Sequence, residues 1–171
     1  ATPLIFIIVY TLVFSVYLRV QMEHYSLFLL ASLLPWNCFS ACISDGTNSI
    51  ISNGSLIKKV ALPAEIFPLI PLLSNAIHYL LSLPVLGLFV LYLGLPLHMG
   101  WFILPFLLIL QLMLTYGIVL ISSSYAVYFR DILHIVPNLL MIGMFLTPIF
   151  YTISMIPEAF RWIVYLNPMT Y

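Results

Sequence analysis

Ten side chains in the 171 residues carry a formal charge, five Lys+Arg and five Asp+Glu, so the place of each one bears on what the chain can do. Lys58 and Lys59 are adjacent, preceded by Asn53, Gly54, Ser55, Leu56 and Ile57 and followed at a distance by Glu65. A cation pair beside short apolar side chains can bind anionic headgroups or dock on a protein partner. A second charged spot, Tyr128, Phe129, Arg130 and Asp131, admits the same two readings. Its charged neighbours would point about 100° apart on a helix and need not pair. Catalytic arrangements are missing. There is no GxxxxGK[ST], no HExxH and no GxSxG. Asp45 and Glu65 form no evident acid/base pair, and His24, His78, His98 and His134 fall on different segments, which argues against a shared metal site. Cys38 and Cys42, four apart with no nearby His, read as small packing residues. No catalytic residue, metal or cofactor is expected in this chain.

The elements that must position these groups are dictated by composition. The chain is 64% hydrophobic and 6% charged, with a mean hydropathy of +1.18, whereas soluble domains carry roughly 25% charged residues. A water-soluble enzyme is excluded. The zero net charge offers no basic field for nucleic acid. The fold class is all-α, a polytopic helical membrane protein. The opening at Ala1 inside an apolar run, with no charged n-region or cleavage site, does not read as a signal peptide. Together with the stop at Tyr171, it suggests an interior piece of a longer protein, read as one transmembrane domain over 1–171.

Apolar runs at 1–18, 26–44, 66–93, 101–124 and 135–151 give five spans, since about 20 apolar residues cross the hydrocarbon core. The last is short. Linkers at 45–65 and 125–134 share one side and hold Lys58, Lys59 and Arg130, against Arg19 and Arg161 opposite, which assigns them to the cytoplasm. Every Asp, Glu, Lys and Arg falls in a linker or at a span end. This argues against a proton-coupled carrier or an intramembrane hydrolase. His78 is the exception and is expected to be a hydrogen-bonded packing residue.

The second span turns polar from Asn37 to Asn53. A helix over Tyr25–Ser52 would be about 42 Å long, so its end should project into the cytoplasm or line a wet cavity. Asn53–Gly54 signals a turn, and Ser55 is the expected N-cap of a short amphipathic helix ended by Pro63. Either an interfacial anchor or a docking element fits it. Stretch 147–171 is too apolar for a solvated loop and is broken by Pro148, Pro157 and Pro168. Two readings remain, short re-entrant helices around Pro157 or an outer loop with an amphipathic helix over Glu158–Leu166. Phe6, Tyr10, Phe14 and Tyr17 share one face of the first span and could stack on sugar rings or pack on neighbours.

Four runs in register, SDGTNSII (44–51) continuing into SNGSLIKKVALPAEIFP, then VYFRDI (127–132), LTPIFY (146–151) and YLNPMTY (165–171), resemble the ABC type-2 transporter permeases of the polysaccharide and polyol-phosphate export branch. The resemblance covers nearly the whole chain. It implies six spans, of which five are visible, and a bacterial cytoplasmic (inner) membrane location. It implies two permease copies around a channel for a lipid-linked glycan (O-antigen, capsule or teichoic acid), docked on ATP-binding subunits that hold ATP and Mg. It places a coupling helix at about 53–62, with Lys58 and Lys59 facing the partner or headgroups. It also places a cytoplasmic turn at VYFRDI and outer gate helices at 152–168, bearing on Pro148, Tyr151, Pro157, Asn167 and Pro168. Phe6, Tyr10, Phe14 and Tyr17 become similar to channel aromatics. Ala64 stands where many relatives carry a basic residue. The alternatives are a drug or lipid cargo on the same fold, or a channel or scaffold without an ATPase partner.

Overall fold

The computed structural model describes residues 25–57, 59, 62–95, 103–151, 156–158 and 161–170. Among them the elements are α1 (Tyr25–Ser52), α2 (Gly54–Ile57), α3 (Ile66–Tyr92), α4 (Leu104–Tyr128), α5 (Ile132–Leu146), α6 (Arg161–Leu166) and a 3-10 turn at Pro168–Thr170. The first apolar run, with Phe6, Tyr10, Phe14 and Tyr17, lies outside the described residues, as does Lys58.

α1 is the central helix because it is apolar on two faces. Leu30, Leu34, Cys38 and Cys42 recur every four residues and pack with Leu72, Tyr79, Leu86 and Leu108. Tyr25, Leu29, Leu33, Trp36, Phe39 and Ile43 form a second stripe with Val119, Ile149 and Phe150. Half of its most apolar window is buried, against 17% in α3 and α4, so α3 and α4 wrap α1 and turn their remaining apolar surface outward. Leu81 and Met113, 67% and 69% exposed, belong to that outer surface, which suits hydrocarbon and not water.

Pairings fix the directions. Cys38 and Cys42 donate Sγ–H to the carbonyls of Asn75 and Leu72 at 3.7 Å, so α3 runs antiparallel to α1. Both cysteines are buried, as the packing reading expects. α4 runs parallel to α1: Gln111 Nε2 donates to the Pro35 carbonyl at 2.8 Å, and Thr47 Oγ1 lies 2.8 Å from Ser122 Oγ. α1 ends five residues past Thr47 and α4 six past Ser122, so the 53–65 connection and the 129–131 turn emerge on one side, at nearly one level. α5 returns, with Gly143 against the Trp36 indole.

Tyr25–Ser52, Ile66–Tyr92 and Leu104–Tyr128 are long and apolar enough to cross a membrane. The fifth run does not become a full span. α5 is 15 residues long, about 22 Å against a hydrocarbon core of about 30 Å. The reason is local: Pro148 disfavours the α region for the residue before it, and Thr147 is extended at φ −91°, ψ 138°. α3 ends in a Schellman motif: Gly94 takes φ +69°, and the Leu95 N–H reaches the Val90 carbonyl at 3.2 Å.

Candidate functional site

The polar end of α1 is built to leave few groups idle. Thr47 and Ser49 are buried, at 1% and 5% exposure. Thr47 Oγ1 donates to the Ile43 carbonyl at 2.6 Å and Ser49 Oγ to the Gly46 carbonyl at 2.6 Å. Such back-bonding satisfies hydroxyls inside a helix without water. Gly46 makes room for α4, since a Cβ there would overlap Val119 Cγ1. Asp45, Asn48 and Ser52 instead face outward. The expected wet or projecting end is therefore split, one face locked on α4 and the other open.

Beyond it, Asn53 joins two elements. Its Nδ2 donates to the Ser49 carbonyl at 2.8 Å, closing α1, while its carbonyl accepts from Leu56 and Ile57 N–H at 2.9 and 3.0 Å, opening α2. Ser55, expected at the N-cap, lies inside α2, because the Asn53 carbonyl takes the first helical bonds. α2 spans four residues, shorter than the helix expected over 53–62. A further bond from the Lys59 N–H to the Leu56 carbonyl, 3.0 Å, tightens the exit. Ser55, Leu56, Lys59, Leu62 and Glu65 are exposed and Ile57 is half-buried. Leu56, 45% exposed, is an apolar knob beside a cation, a combination suited to a groove with an acidic rim.

The connection is rooted in α4 at both ends. Thr47 reaches Ser122 just before it, and the Tyr116 hydroxyl donates to the Glu65 carbonyl at 3.3 Å just after it. The connection is therefore tied to α4 as well as continuous with α1 and α3. The 129–131 turn emerges on the same side. Tyr128 and Phe129 are 82% and 65% exposed, and Arg130 and Asp131 are exposed. Neither charge makes an ion pair among the described residues, where Arg161 and Glu158 form one at 3.5 Å.

At the far side, a cavity of about 370 Å³ is lined by Phe28, Trp36, Thr147, Pro148, Tyr151 and Met169, among others. Asn167 Nδ2 donates to Thr147 Oγ1 at 2.7 Å, Tyr151 OH to the Phe145 carbonyl at 2.7 Å, and Tyr25 OH to the Phe150 carbonyl at 3.1 Å. Pro148, Tyr151 and Asn167 thus converge, while Pro157 is exposed and stands apart. Pro168 opens the final 3-10 turn. α6 covers Arg161–Leu166, the later part of the helix expected from Glu158.

A membrane bundle with a protruding, doubly rooted connection on one side and a hydrogen-bonded broken segment on the other can be compared with known proteins. The ABC-2 type transporter family matches residues 1–171. The chain belongs to that family. It is 34% and 35% identical over 170 residues, 99% of its length, to two O-antigen export system permease proteins RfbA of Klebsiella pneumoniae. It is 33% identical over 173 residues, 98% of its length, to the protein of that name from Myxococcus xanthus. The chain spans just under two thirds of these relatives, 66%, 66% and 65%.

Within this ABC-2 chain, three features escaped sequence reasoning. Asp45 lies inside α1, seven residues before its end, in the polar part of the expected Tyr25–Ser52 helix and not in the 45–65 linker. Asn75 Nδ2 reaches its Oδ2 at 3.0 Å. His78 is exposed on α3, not packed, because the buried column of that helix, Leu72, Ala76 and Tyr79, runs along another face. Asn75 within an apolar run was the available signal. Trp36 and Thr147 were hidden because their roles depend on α5 ending early.

Proposed function

We propose that this chain is the membrane permease part of an ATP-driven exporter that moves a lipid-linked polysaccharide of the O-antigen kind across the bacterial cytoplasmic membrane. The observation that carries the reading is identity of 34–35% over 99% of the chain to permeases named for O-antigen export. Two copies form the path, and separate subunits bind ATP and Mg. The exposed Ser55, Leu56 and Lys59 dock on those subunits, with Arg130 and Asp131 as a second contact on the same side. Supporting this is the double rooting of 53–65 in α4, which turns a docking element into a lever. At the far side, Pro148, Tyr151 and Asn167 act as an outer gate over the aromatic-walled cavity.

The test uses the full-length parent in its own membrane. It is purified with whatever ATPase copurifies, and compared with a variant whose residues 56–59 are Gly/Ser. We expect wild type to carry a stoichiometric ATP-binding subunit, and the variant to insert normally but to lose that subunit and surface glycan. Full export by the variant would overturn the docking role. A lone wild-type protein with no ATPase would overturn the exporter reading.

A further inference from the structure

α3 carries polar groups where a lipid-facing helix should have none. Its outward column runs Ile70, Ser74, His78 and Leu81, at spacings of four, four and three. Ser74 and His78 are exposed, and among the described residues the His78 side chain has no hydrogen-bond partner. Around them Ile70, Leu73, Ile77 and Leu81 are 58%, 52%, 56% and 67% exposed. A water-filled path would not be walled by so many bare aliphatic side chains, so this face suits hydrocarbon. Beside it, Asp45 of α1 is exposed and accepts the Asn75 Nδ2 bond at 3.0 Å. Asn75 donates its other amide proton to the Pro71 carbonyl at 3.0 Å. Its own Oδ1 and the second carboxylate oxygen remain as acceptors.

Depth explains why such groups are tolerated. α3 has 27 residues, about 40 Å, some 10 Å more than the hydrocarbon thickness. Tyr92, 85% exposed, is an aromatic anchor for the far interface. Counting about 30 Å back from it reaches the level of Leu72. Ser74, Asn75 and the Asp45 bonded to Asn75 therefore sit at the near headgroup boundary, and His78 lies one turn deeper. The rest of α1, Gly46–Ser52, runs on beyond that boundary, which matches its polar sequence.

We propose that Asp45, Ser74, Asn75 and His78 form a headgroup site for a phospholipid with a primary ammonium and a phosphodiester, that is, phosphatidylethanolamine, in the leaflet on the side of the 53–65 connection. The ammonium N–H groups go to Asp45 and Asn75 Oδ1, and the phosphate oxygens accept from Ser74 Oγ–H and the His78 ring N–H. Asn75 and His78 fit in depth, because a lipid phosphate lies nearer the hydrocarbon than its ammonium, and His78 is the deeper of the two with its Cα–Cβ bond tilted toward the near end of α3. A quaternary ammonium has no N–H to offer, so phosphatidylcholine is disfavoured.

The experiment needs neither ATP nor glycan, so its failure leaves the exporter reading untouched. The full-length parent, with any copurifying subunit, is placed in nanodiscs of phosphatidylethanolamine or phosphatidylcholine, each mixed with phosphatidylglycerol. Lipid retained after detergent washing is then measured by mass spectrometry. Phosphatidylethanolamine should be enriched several-fold over both others. Asp45→Asn and His78→Leu should each reduce its retention about tenfold, as loss of a hydrogen bond to a charged group predicts. Leu88→Ala, on the outward surface of α3 well beyond the site, should change nothing. A photoactivatable phosphatidylethanolamine on the wild-type protein should label the peptide containing Ser74–His78, a readout independent of variant folding. Equal retention of the three lipids, or labelling spread evenly over α3 and α4, overturns the proposal.

Discussion

The two ends of the bundle are built on different principles. At the near end, α1 and α4 are held by close contact, with Gly46 under Val119 and Thr47 against Ser122. At the far end the chain leaves helix early, and a cavity of about 370 Å³ stays open among aromatic and proline side chains. Three side-chain hydrogen bonds hold the segments around it: Tyr25 to Phe150, Tyr151 to Phe145 and Asn167 to Thr147. At the near end, direct backbone-to-side-chain contact leaves little slack to absorb a displacement, although a groove of about 330 Å³ lined in part by Ile43, Ile118 and Ser122 flanks it. A cavity edged by single hydrogen bonds gives way at each bond separately. The near end is thus suited to receive a push and the far end to open under it.

The strongest way to break this contrast is to spoil the close contact. Gly46→Val should cost about 3 kcal/mol, the upper range for overpacking, or prevent assembly. Val119→Ala on the same background should restore much of the loss, since it removes the methyl groups that a new Cβ would overlap. Thermal unfolding of the detergent-solubilised parent, followed by fluorescence-detected size exclusion, reads both. If Gly46→Val is as stable as wild type, the near end is not tightly packed and the contrast falls.

Next comes the middle of the molecule. Gln111→Leu removes the donor to the Pro35 carbonyl. The N–H that Pro35 lacks would have gone to the Ala31 carbonyl, so this bond does not replace it; it adds a second donor to a carbonyl placed to accept the Phe39 N–H within α1. The expected loss is about 1 kcal/mol, the net worth of one hydrogen bond between helices, in the same assay.

How far the sequence reached follows the same division. Where a segment's fate depends on its own composition, the reading and the structure agree: Tyr25–Ser52 forms one helix through its polar end, and the short connection emerges beside the 129–131 turn. Where fate depends on one residue or a neighbour, they part. Thr147 was placed inside a span because it is flanked by apolar residues, yet the following proline ends the helix there. Ser55 has the right side chain for an N-cap, but the Asn53 carbonyl, two residues earlier, takes the first helical bonds. Asp45 falls within the polar end of the expected Tyr25–Ser52 helix, but its bond to Asn75 depends on α3 packing beside it. His78 was assigned to the core by its apolar neighbours. That neighbourhood is the same on either face of α3, and the packing of α1 decides which face is buried.

At the far end, Asn167→Ala should act locally. Asn167 donates to Thr147 Oγ1 and accepts the Met169 N–H at 3.0 Å through Oδ1, so its loss frees the 167–170 turn from the end of α5. Hydrogen exchange across 161–170 should rise about fivefold, the equivalent of about 1 kcal/mol of local opening. α1 and α4 should be unchanged. Asn167→Asp keeps the acceptor for Met169 but not the donor, and should give most of the same increase if the bond to Thr147 is the latch.

The smallest effect is the most informative about the near end. Thr47 has one hydroxyl proton, and its short bond to the Ile43 carbonyl, 2.6 Å, claims it. Ser122 must then be the donor between the two hydroxyls, with the Val119 carbonyl at 3.2 Å as its alternative acceptor. Thr47→Val lets Ser122 fall back on Val119, and Ser122→Ala leaves Thr47 bonded to Ile43. Neither single change strands a buried group. A double-mutant cycle should therefore return a coupling of about 0.6 kcal/mol, the mean for hydrogen bonds between membrane helices. A coupling of several times that would mean the hydroxyl pair, and not the Gly46–Val119 contact, holds α1 to α4. The roots of the connection would then be hydrogen bonds at both ends, and the near end would resemble the far end after all.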